Sequence, residues 1–130
     1  MKKIIFIILL ALTSTSVSTF QSCSSTSDLS RSNIGTVESS LLNMLTTKLG
    51  LNTTQIPLVS NLLKIFLNNK LSIVGLAKTN PSAYSKQLIG LQNSLIGSLA
   101  EVFIGKQLNS FNALKPPFND SKNNLSYLFY

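Results

Sequence analysis

Apolar residues recur at helical spacing through most of the chain. Ile34, Val37, Leu41, Met44, Leu45 and Leu49 form one stripe, which predicts a helix over 36–49. Gly50 follows, where a left-handed residue commonly ends a helix. Asn52, Thr53 and Thr54 offer capping side chains for a second helix, and Pro57 is compatible with its first turn. Beyond them Val59, Leu62, Leu63, Phe66, Leu67, Ile73, Val74 and Ala77 share a broad face, with Ser60, Asn61, Lys64, Asn68 and Lys78 on the wet side. Leu58, Ile65 and Leu76 widen that stripe, so a helix over 55–78 is expected to touch two neighbours and to sit centrally. It is expected to be disturbed near Asn68 and Asn69 or at Gly75.

Asn80-Pro81 marks the next start, because Asn80 can cap and Pro81 at the first helical position leaves no amide unsatisfied. Tyr84, Leu88, Leu91, Leu95, Leu99 and Val102 then predict a third helix over 81–109. Leu88-Ile89-Gly90 recurs as Leu95-Ile96-Gly97 and again as Phe103-Ile104-Gly105. Glycine within a helix costs about 1 kcal/mol relative to alanine, so these positions call for a reason. Gly90, Ser94 and Gly97 lie on one side, where a second helix could approach closely: either the helix over 55–78 or a second copy of the chain. Gln92, Asn93 and Glu101 argue against a membrane span. Lys115-Pro116-Pro117 stops any helix, and the aromatic tail Leu125 to Tyr130 is expected to fold back or to meet a partner.

The N-terminus follows a different pattern. Lys2 and Lys3 precede an unbroken apolar run over 4–12, and a small polar stretch follows over 13–19. That is the layout of a secretory signal peptide, and the run is too short for a bilayer core of about 30 Å. Phe20-Gln21-Ser22-Cys23 resembles the lipobox of bacterial lipoproteins, which implies that Cys23 is lipidated and becomes the first mature residue. Cys23 is the only cysteine, so no intramolecular disulfide competes for it. Its neighbours Ser24, Ser25, Thr26, Ser27 and Asp28 suit a flexible tether. The expected organisation is a signal peptide over 1–22, a tether over 23–33, a helical domain over 34–114 and a Pro-containing tail over 115–130.

Composition narrows the chemistry. Of 130 residues, 44% are hydrophobic and only 12% charged, which suits one folded domain rather than a disordered chain. Without Lys2 and Lys3 the basic count falls from 11 to nine against four acids, a net charge of +5. These cations are scattered rather than clustered and are expected on solvated faces, so no nucleic-acid partner is expected. There is no histidine, which excludes a Ser-His-Asp triad, a Cys-His pair and an imidazole metal site. Glu38 and Glu101 are the only acids within predicted helices and are expected to be solvated or dipole-favouring charges. No catalytic residue, metal site or cofactor is expected, and no enzymatic activity.

Leu45-Thr46, Leu49-Gly50, Gln55, Leu62-Leu63 and Leu71-Ser72 resemble the VcgC/VcgE-type family of small exported helical bacterial proteins of unknown function. The resemblance covers 45–72 and implies an exported, small, α-helical protein; it carries no functional residue. The sequence therefore predicts an all-α fold, a small antiparallel bundle of three helices. Its expected role is a non-enzymatic envelope lipoprotein, an interaction or structural module anchored to a membrane through Cys23. The other expectation is a freely secreted helical protein that binds an apolar ligand or a membrane surface.

Overall fold

A computed structural model describes residues 29–130. The fold is all-α, with helices α1 (Ile34–Leu49), α2 (Gln55–Ile73), α3 (Leu76–Thr79), α4 (Pro81–Val102), α5 (Gln107–Ala113) and α6 (Ser126–Phe129). The expected signal peptide and Cys23 lie outside the described residues.

Local chemistry accounts for the helix boundaries. Gly50 closes α1 at φ 62°, a left-handed conformation that glycine adopts without a Cβ penalty, and its N–H donates to Thr46 O. Asn52 then starts α2 through a reciprocal capping box. Its Oδ1 accepts from the backbone N–H of Gln55 at 2.8 Å, while its own N–H donates to Gln55 Oε1 at 3.0 Å. Asn80 Oδ1 accepts from the Ala83 N–H at 3.1 Å and Pro81 opens α4, as the sequence predicts.

The second and third predicted helices are each shorter than the sequence suggests. At Gly75 the bonding tightens: Ala77 N–H donates to Val74 O and Lys78 N–H to Gly75 O, three residues back, so the stretch over 55–78 divides into α2 and α3. The helix expected over 81–109 stops at Val102. Phe103 is extended at φ −77°, ψ 144°, and Gly105 lies at φ 58° before α5 begins. Gly105 is thus a turn residue, not a helix-interior one.

The predicted stripes form the core. Leu41 and Leu45 of α1, Val59, Leu63 and Leu67 of α2, and Leu99 of α4 are fully buried. The most extensive packing joins α2 to α4 and α2 to α1, which puts α2 in the middle, as its wide apolar face implies. Two members of that wide face are corrections: Leu58 and Ile65 are about half exposed, at 49% and 52%, and Ile65 only edges the groove between α2 and α4. The N-terminal end of the domain differs from expectation, whereas the tail folds back, the first of its two expected courses. Leu29 belongs to the core, and Ser30 N–H donates to Asn33 Oδ1 at 2.8 Å, so residues 29–33 of the expected tether are part of the folded domain. In the tail, Leu125 and Leu128 are each 2% exposed, so it is an integral part of the core rather than an appendage.

Candidate functional site

The tail is held by polar contacts from two long helices. Lys70 of α2 is 1% exposed, and its Nζ donates to Tyr127 O at 2.7 Å and also to Tyr130 O. Burial lowers its pKa from 10.5 to about 8. Gln92 of α4 donates to Leu128 O at 3.1 Å. Asn124 Nδ2 donates to Ser40 Oγ, and the Tyr130 hydroxyl to Pro116 O at 2.8 Å, so both flanks of α6 are fixed. The lysine expected on a solvated face is therefore an internal clasp that satisfies carbonyls at the end of α6.

With the tail seated, α4, α5 and α6 enclose a cleft of about 280 Å³. Its floor is apolar: Leu95, Phe111 and Leu128 are buried, with Ile96 and Phe129 beside them. Phe111 is fixed by ring contacts to Phe103 and Phe129, with centroids 6.0 and 5.6 Å away. The rim is polar, made by Gln92, Asn93, Asn112 and Lys115. Lys115 Nζ lies 5.3 Å from the centroid of the Tyr130 ring, a cation–π arrangement that keeps the ammonium at the mouth. A larger concavity of about 570 Å³, around Arg31 and Ile34, has no buried side chain among its lining residues.

A second polar cluster joins four elements at the C-terminal end of α4. Gln55 Nε2 donates to Val102 O at 2.9 Å and to Gln107 Oε1 at 2.7 Å. Gln107 Nε2 donates to Leu49 O at 3.2 Å, and its Oε1 accepts from the Ile104 N–H at 3.0 Å. Every group in this cluster is an amide, so its chemistry is structural. The two acids expected to be solvated divide. Glu38 is buried on α1 and accepts from the Ser60 hydroxyl at 2.6 Å, which also removes Ser60 from the wet side, whereas Glu101 is exposed on α4. Among the described residues no group of His, Cys, Asp or Glu is placed to hold a metal, and no helix is long and apolar enough to cross a membrane. The Tyr84 hydroxyl is buried with no hydrogen-bond partner among the described residues, and desolvation raises its pKa.

Gly90, Ser94 and Gly97 are exposed and take no part in the cleft. A Cβ added at Gly90 or Gly97 would meet nothing within 4 Å, so the expected close approach to the second helix does not run through these glycines. The α2–α4 contact uses Leu88, Leu95 and Leu99 instead, one face round the helix. Ser94 borders a shallow groove of about 50 Å³ floored by Phe66 and Leu95, on the flank of α4 away from the cleft. Sequence reasoning missed the cleft because its walls come from segments that share no local pattern. The Lys115-Pro116-Pro117 stop was visible, but nothing local said which helix the following chain would meet.

Comparison with family models, with curated proteins and with solved structures found no match.

Proposed function

We propose that the protein is a non-enzymatic exported lipoprotein, an envelope interaction module anchored to a membrane by acylated Cys23. The observation that carries the interaction role is the exposure of Leu58 and Ile65 on α2, with Ile65 lining the groove bordered by Ser94. Two large aliphatic side chains one helical face apart from the core stripe suit a protein partner. The anchor reading is supported by the lipobox-like Phe20-Gln21-Ser22-Cys23 and by the polar residues that follow it. Several acyl chains on one residue give stable membrane attachment, where a single chain is marginal.

The test is intact mass and membrane fractionation of the protein from its native host, as wild type and as Cys23→Ala. A mature chain that begins at Cys23, carries acyl mass and leaves the membrane when Cys23 is replaced is the expected result. An unmodified, soluble mature chain overturns the anchor. A second reading, a freely secreted protein that takes an apolar ligand, is favoured by the buried apolar floor of the cleft.

A further inference from the structure

We infer that the cleft between α4, α5 and the tail is a binding site for a medium-chain aliphatic carboxylate. The inference rests on the apolar-ligand reading and gives it a place and a chemical class. Three features point to this occupant. The floor of Leu95, Phe111 and Leu128 is apolar and preformed, which suits an aliphatic chain. The volume of about 280 Å³ lies just below the range of ligand pockets, about 300–1,000 Å³, and so suits a chain of about eight carbons better than a membrane lipid. The rim is complementary to an anion: Lys115 supplies an ammonium, Gln92, Asn93 and Asn112 supply amide donors, and no acidic residue lines the cleft among the described residues.

The polarity of binding follows. The alkyl end lies against Phe111 and Leu128, and the carboxylate stays at the mouth, where water and Lys115 solvate it. No deep charge is buried, so the head group is not desolvated at the expense of the chain. The Gln92 amide that donates to Leu128 O has a second N–H, so it can hold the tail and meet the ligand at once.

Octanoate and 1-octanol are the probes, titrated into the full chain labelled with 15N and followed by the side-chain amide resonances of Gln92, Asn93 and Asn112. Octanoate is expected to shift these signals and to bind about fifteenfold more tightly than hexanoate, since each buried methylene contributes roughly fourfold. Lys115→Gln is expected to weaken octanoate about fivefold, the upper range for an exposed ion pair, and to leave 1-octanol unchanged. Asn112→Trp, on the exposed side of α5, fills the mouth and is expected to block both probes. Equal affinity of the wild type for octanoate and 1-octanol overturns the carboxylate assignment and leaves the apolar-ligand reading standing. Absence of shifts with either probe overturns both, and binding that survives Asn112→Trp overturns the location.

Discussion

Lys70 shows how one residue can carry a pH dependence. It sits three residues after Leu67 and four after Phe66, so helical spacing puts it on the buried face of α2. Because burial lowers its pKa from 10.5 to about 8, the native state releases a proton between those values that the unfolded chain retains. Stability must therefore rise with pH across that window, whereas below pH 8 both states are protonated and the cost of burying the charge is fully present. Relative to Lys70→Met, which does not titrate, the wild type is expected to gain about 2–3 kcal/mol between pH 7.5 and 10. Urea unfolding of both proteins at the two pH values measures it, and a constant difference would refute the argument. The neutral amine keeps two N–H donors, so the bonds to Tyr127 and Tyr130 can persist after deprotonation. The sequence reading put Lys70 with the other cations on a solvated face, and its burial was not legible: its acceptors lie 57 and 60 residues away, beyond any local signal.

At the scale of elements, capping and termination were the most legible features. Asn52, Asn80, Pro81 and Gly50 act where the sequence places them, because each works through bonds to residues within four positions. Breaks were harder to read. Gly75 and Gly105 both follow an apolar residue in a helical pattern, yet the first continues in right-handed geometry and the second turns the chain at φ 58°. What separates them is tertiary: Gln107 holds the Ile104 N–H and ties the turn to the start of α2. Gly90 and Gly97 show the reverse case, glycines well inside α4 with open space around them. Alanine at either position is expected to raise stability by about 1 kcal/mol, the ordinary helix preference, as measured by thermal or urea unfolding. Destabilisation, or loss of an oligomer in sedimentation, would instead mean that a second copy packs against this face. The exposed Leu58 and Ile65 belong to the same lesson, since apolar periodicity marks a face and does not say whether another helix arrives to cover it.

In the whole molecule, polar side chains join elements that are distant in sequence. Gln55 and Gln107 connect the end of α1, the start of α2, the end of α4 and the start of α5. Gln107→Leu leaves the Gln55 amide and the Leu49 carbonyl without this partner. It is therefore expected to cost about 2–3 kcal/mol, read as a lower urea midpoint with an unchanged slope. The all-α class and the three long amphipathic stretches were legible because they depend on a period of 3.6 residues. Leu29, the Gln55–Gln107 pair and the docking of the tail were not, because each depends on where the long helices bring the chain. The late position of the tail has a kinetic consequence. A ribosome releases α2 long before Tyr127, and at about 5–20 residues per second the intervening 57 residues take roughly 3–11 s to synthesise. Throughout that interval Lys70 has no covering segment and the groove for α6 stays empty. Such a chain closes late: the segment that covers Lys70 is the last helix to become available.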